Sequence, residues 1–270
     1  TLAAERLDTL QLGMIVYSVG LALAWSFALR SGTVYGFDIS GELPILDATR
    51  EAGVWHASHT ADAYGAMLSL TVLPSLLQSL TGLSALVLLK AVYPAIFALF
   101  PLAVFLLARR HLSARFAFAA AAFVLVQANF AQQLPAVARQ EIGLVAFAVL
   151  LAAALDRRLP RGPRWALVAT IGFALVVSHY STTYLAIVLL AVAVFLQAVV
   201  SLVRRPVPRV TGALVVALLV TGGGAALWYG PVTDSASNLT RFTDAVRDDG
   251  LQLLPNRKPG PVTEALCWSH

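Results

Sequence analysis

Tyr35-Gly36-Phe37-Asp38-Ile39-Ser40-Gly41-Glu42 follows the first long apolar run, Leu10 to Leu29, and carries two acids four residues apart. The apolar run reads as a membrane anchor, so the octapeptide falls just outside the membrane. If this stretch turns helical, Asp38 and Glu42 share one face. If it stays irregular, Gly36 and Gly41 still let the backbone fold back and bring the two acids together. An acid at the end of a membrane helix is costly unless it has a partner or a task. Two readings stand side by side: a solvated loop with two ordinary acids, or the mouth of a cavity that the rest of the chain builds.

The remainder of the chain is overwhelmingly apolar. Of 270 residues, 59% are hydrophobic and 12% charged, and the mean hydropathy is +0.77. Soluble domains carry roughly twice that share of charge. The expected fold is therefore all-α and polytopic in a membrane. The net charge of +5 comes from basic residues in short clusters between apolar runs, which points to membrane topology and away from nucleic acid. Cys267 is the single cysteine, so neither an internal disulfide nor a multi-cysteine metal site is expected. The chain begins at Thr1 and not at a methionine, which reads as a trimmed start. The first apolar run is too long for a cleaved signal and lacks an A-x-A end.

The basic clusters set the topology. Arg109, Arg110 and Arg115 form one, Arg157, Arg158, Arg161 and Arg164 the next, and Arg204, Arg205 and Arg209 a third. All three are expected on the cytoplasmic side. That order predicts seven spans: Leu10 to Leu29, Leu83 to Ala108, Phe116 to Phe130, Ile142 to Leu155 (drawing on residues from Ala138), Trp165 to His179, Thr182 to Val203 and Val210 to Trp228. Residues 31–84 become a long outer loop, with a short amphipathic helix over Pro44 to Gly53. The Met67 to Leu80 run is interrupted by Pro74 and several serines and is expected to lie at the outer interface without crossing. Residues 1–228 then form one transmembrane module. Residues 229–270 form an outer tail with an Asn238-Leu239-Thr240 sequon, the start of a further region. No inverted repeat of the transporter kind is visible.

Under this topology two more polar strings face the same side as Asp38 and Glu42. One is Ala138-Arg139-Gln140-Glu141-Ile142-Gly143; the other is Ser178-His179-Tyr180-Ser181-Thr182-Thr183-Tyr184. Lys90 joins them near the outer end of the second span. Ionisable groups at membrane depth are functional candidates by default. The plainer readings are a helix-end salt bridge for Arg139 and Glu141, an interhelical hydrogen bond for His179, and interface-belt aromatics for Tyr180 and Tyr184. His56 and His59 stand three apart, but no third ligand has a fixed spacing, so zinc is not expected. A hard divalent cation held by Asp38, Glu42 and Glu141 is compatible with an oxygen-only site.

An acid after the first span, a long outer loop, and a second span ending in the basic turn Leu107-Ala108-Arg109-Arg110-His111-Leu112-Ser113-Ala114-Arg115 together resemble the GT-C superfamily of membrane glycosyltransferases. Protein O-mannosyltransferases and lipid A aminoarabinose transferases share that layout. The strings Gly36 to Glu42, Ala138 to Ile142 and Ser178 to Thr182 look closest to an uncharacterised prokaryotic family of that superfamily. The resemblance covers roughly residues 10–228. It implies a polyprenyl-phosphate sugar as donor, with a glycan, lipid or protein as acceptor. It also implies that Asp38 serves as base or metal ligand, in a plasma-membrane protein whose site faces the extracytoplasmic side. Members are usually longer, which implies a missing region or a partner subunit.

The residues suit that chemistry. An acceptor hydroxyl needs a carboxylate to take its proton, so Asp38 and Glu42 are the catalytic candidates. A phosphate leaving group needs cations more than acids. Lys90, Arg139, Gln140, Glu141, His179 and Tyr180 are therefore the substrate-binding candidates, with Arg139 offering a planar fork. The competing class is a transporter or flippase of a lipid-linked or anionic substrate, which would spread charges through the span interiors. A non-catalytic partner subunit is the third.

Overall fold

The computed structural model describes residues 7–57, 63–203 and 211–235, and every regular element among them is helical. The third basic cluster, His59, Asp62, the sequon, Cys267 and the tail from residue 236 onward lie outside the described residues.

Helix α1 (Thr9–Ala28) opens on a capping box: Asp8 accepts from the Gln11 amide at 2.7 Å, and the Gln11 side chain accepts from the Asp8 amide at 3.0 Å. Helix α2 (Phe37–Ala52) begins well before the expected Pro44. Gly36 makes the turn at φ 133°, the Ser40 hydroxyl donates to its carbonyl at 2.6 Å, and Asp38 sits in the first turn, where free N–H groups favour an acid. The helix stops at Gly53, whose φ of 69° is the left-handed conformation that closes many helices. Helix α3 (Val72–Thr81) has 10 residues, about 15 Å, half of a ~30 Å hydrocarbon core. The first part of the Met67 to Leu80 run is made of turns.

Three short segments follow, α4 (Ala85–Val87), α5 (Tyr93–Phe97) and α6 (Leu99–Arg109), joined into one rod of 25 residues. A π turn over Leu88–Val92 interrupts it, where Pro94 has no N–H to continue the α ladder. Next come α7 (Ala114–Leu125) and α8 (Ala128–Gln132), the latter continued by a 3₁₀ turn over Leu134–Ala136. The sequence suggested one span from Phe116 to Phe130. The chain instead bends by 57° after Leu125, where Gln127 is extended and polar residues replace the apolar run. Four long helices complete the described chain: α9 (Ala138–Leu155), α10 (Arg161–Ser178), α11 (Tyr180–Val203) and α12 (Thr211–Leu227).

Among the described residues, five helices are long and apolar enough to cross a membrane, and the bent α7–α8 pair makes a sixth candidate. This is an all-helical, multi-pass membrane protein. Helix α10 does not join the set, because Arg161 and Arg164 occupy its first turn.

Helix α9 is the axis of the bundle and packs against α5, α6, α10, α11 and α12. On one flank Leu150, Val168, Leu175, Leu190 and Leu214 form an apolar core; on the other, Leu12, Val16, Phe97, Phe105 and Phe130 form a second. At one end of α9, Arg110 donates to the Ala152 carbonyl at 2.8 Å and pairs with Asp156 at 3.2 Å. Arg109 reaches the Thr9 hydroxyl at 3.4 Å. The start of α1 and the two described basic clusters thus share an end. At the opposite end, Trp55 of the 31–84 connection stacks on Trp228 with ring centroids 5.7 Å apart, and Ser69 donates to the Ser178 carbonyl at 2.7 Å.

Candidate functional site

The two acids that opened the sequence reading meet the start of α9 at this second end. Helix α2 buries Ile39, Glu42 and Leu46 and leaves Asp38 partly open. The buried stripe puts Glu42 directly on the amino terminus of α9. One carboxylate oxygen accepts the Ala138 N–H at 2.8 Å, one of the donors that a helix start leaves unpaired. Its other oxygen accepts from Nη1 of Arg139. Nη2 of Arg139 donates to Asp38 Oδ1 at 2.7 Å. The guanidinium lies over the Tyr64 ring, 4.3 Å from its centroid, and the Tyr64 hydroxyl donates to the same Asp38 oxygen at 3.4 Å. The helical alternative for residues 35–42 is therefore the one realised, with both acids on one face as an i, i+4 pair.

The electrostatics of the two acids differ. Glu42 is 1% exposed, and burial pushes its carboxyl above the usual carboxylate range, with Arg139 and the Ala138 N–H pulling the other way. Asp38 keeps 34% of its side chain exposed, and Oδ2 has no partner among the described residues. So Glu42 is consumed in holding α2 on α9, while Asp38 retains a free oxygen.

The other candidates divide. His179 is buried in the turn between α10 and α11, where Nδ1 lies 2.6 Å from the Thr182 hydroxyl. It packs so closely on α9 that a Cβ at Gly143 would stand 2.8 Å from the His179 Cβ. Tyr180 stacks obliquely between His179 and Tyr184 at 5.6 and 6.4 Å. Glu141 is fully buried, and neither of its oxygens has a hydrogen-bond partner among the described residues. Gln140 is half-buried and makes no side-chain hydrogen bond there. Lys90 does not point to the acids: its Nζ donates to the Ser31 carbonyl and ties the π turn to the end of α1. The suggested oxygen-only metal set of Asp38, Glu42 and Glu141 does not assemble. Both Glu42 oxygens are already bonded, and among the described residues no group of three His, Cys, Asp or Glu side chains is placed to hold an ion.

The arrangement also contains residues that the sequence reading passed over. A cleft of about 510 Å³ opens beside Asp38, lined by Phe27, Arg30, Tyr35 and Phe37 and by Gln132 and Gln133 at the end of α8. In the sequence Arg30 is a single charge directly after the first apolar run. Its placement at the end opposite the basic clusters was the signal that could have marked it. Tyr64, which supports Arg139, had no such mark. In comparison with known proteins, no family model, no curated protein and no solved structure matches this chain.

Proposed function

We propose that the protein is an integral-membrane glycosyltransferase. It moves a sugar from a polyprenyl-phosphate donor to an acceptor hydroxyl on the extracytoplasmic face of the plasma membrane, with inversion. The proposal includes seven spans, with α10 and the bent α7–α8 pair as two of them. The observation that carries it is the asymmetry of Asp38. One oxygen is held by Arg139 and Tyr64, and the other has no partner among the described residues at the wall of a cleft.

The chemistry follows from that geometry. The acceptor oxygen attacks the anomeric carbon while Asp38 Oδ2 takes its proton. The bond from that carbon to the donor oxygen breaks, and the electron pair leaves with the phosphate, already stable as an anion. A single displacement inverts the centre. Arg139 and Tyr64 hold the base in one rotamer, and orientation of this kind counts for as much as basicity. Glu42 is a positioning residue in this scheme. The resemblance of the three polar strings to GT-C glycosyltransferases supports the reading. So does the gathering of Asp38, Arg139 and His179 at one end of the bundle, where a transporter would spread its charges through the spans.

The test is transfer of labelled sugar from a polyprenyl-phosphate donor, assayed in membranes with Asp38→Asn beside the parent and protein level measured in parallel. Full activity in well-expressed Asp38→Asn ends the proposal.

A further inference from the structure

We propose that Arg30 is the anion receptor of the cleft, taking the phosphate ester of a ligand that also carries an apolar chain. Three observations point there. The Arg30 guanidinium lies over two rings, 3.6 Å from the Tyr35 centroid and 4.3 Å from that of Phe27. A cation held against aromatic rings makes no hydrogen bond to them and keeps its N–H groups to bond a ligand. Second, those N–H groups have no hydrogen-bond or carboxylate partner among the described residues, although an acid lines the same cleft. Asp38 is already paired with Arg139, so the positive charge of Arg30 is left over. Arg30 is exposed at the mouth of the cleft, whereas the two buried cations at this end are occupied, Arg139 by two carboxylates and Lys90 by the Ser31 carbonyl. Third, the cleft is amphipathic. Phe37 is 97% exposed and Tyr35 53% exposed beside the charge, and Gln132 and Gln133 line the same cleft.

A planar fork with free edges fits two oxygens of a phosphate. The bare aromatic rim fits the hydrocarbon next to it. A carbohydrate alone would not need the cation, and inorganic phosphate would not need the rim. The inference rests on the donor proposed above only for the origin of the ligand. Binding is measured here without sugar, acceptor or turnover, so the site and the enzymatic reading fail separately.

The experiment uses the full chain in phosphatidylcholine nanodiscs, with farnesyl phosphate as probe and farnesol and inorganic phosphate as controls. Arg30→Gln should weaken farnesyl phosphate about ten- to a hundredfold, the scale of a lost charge-assisted bond. Arg30→Lys, which keeps charge but loses the fork, should fall between. Tyr35→Leu should weaken binding less than Arg30→Gln while leaving the charge in place, which keeps the inference testable if Arg30→Gln folds poorly. Arg50→Gln removes an exposed cation from the far end of α2 and should change nothing. Unchanged binding in Arg30→Gln, equal loss in Arg50→Gln, or equal affinity for inorganic phosphate each overturns the site. Nanodiscs containing phosphatidylglycerol then identify the source. Retained binding assigns the site to a scarce lipid phosphate and competition to the bulk headgroup, and both uphold a phosphate-ester site.

Discussion

Arg139 grips Asp38 by a single oxygen, at 2.7 Å, while it shares Glu42 with the first N–H of its own helix. One cation therefore supports two acids in unlike ways. The Glu42 contact is closed on all sides, and the Asp38 contact is half open.

Replacing Asp38 by Asn should separate chemistry from folding. The amide oxygen can still accept from Arg139, but it cannot take a proton. Loss of general-base help typically costs ~10²–10⁴ in rate. The expected outcome is that loss in the sugar-transfer assay, with an unfolding midpoint close to the parent's.

Arg139→Ala should act mainly on stability. It strands Glu42 in a buried position, and breaking a buried pair from one side costs roughly 3–5 kcal/mol. Replacing both together, Arg139→Leu with Glu42→Leu, removes the stranded charge and should be milder than Arg139→Ala alone. Thermal unfolding in detergent distinguishes the two. Equal losses would mean that the pair is not what holds α2 to α9.

Gly36 precedes both acids and Gly41 lies between them, and only Gly36 is constrained. A Cβ at Gly36 would lie 2.5 Å from the Ala136 Cβ, at a φ of 133° that side chains rarely adopt. Gly36→Ala should cost on the order of 1–3 kcal/mol and loosen residues 31–57 to protease. At Gly41 the same methyl meets open space, and Ala should be neutral or gain up to ~1 kcal/mol in helix propensity. A proteolysis and unfolding comparison of the two variants checks this.

The proposed sidedness is tested by labelling. In a Cys267→Ser background, Thr33→Cys should react with an impermeant maleimide on intact cells, and Ser113→Cys only after permeabilisation. The reverse pattern would turn the protein over in the membrane and move the cleft to the cytoplasmic face.

The helical class and most apolar helices were legible because lipid leaves a chain little choice: backbone groups must bond within the segment. The meeting of Asp38, Glu42 and Arg139 was half legible. Basic clusters indicated which turns share an end, but not which acid a given arginine would choose. Arg139 read as a donor for phosphate because its fork suits phosphate, and two carboxylates suit it equally well. That choice is made by the register of α2 against α9, which depends on where α2 starts. The start at Phe37 turns on the backbone at Gly36, and composition around Pro44 hid it. The bend after Leu125 was missed for a similar reason, since hydropathy averages over the single extended residue, Gln127, that breaks the direction.

Glu141 carries a consequence for anyone handling this protein. It is wholly enclosed, and both oxygens lack partners among the described residues. An enclosed polar group left unbonded costs roughly 1–3 kcal/mol, more when charged. A screen for thermostable variants, blind to function, would therefore replace it early, with leucine or glutamine as natural winners. Such a variant would purify and crystallise more readily than the parent. Its activity would have to be measured before its structure was taken to represent a working molecule, because fitness in the test tube would have been selected at an enclosed, unbonded acid.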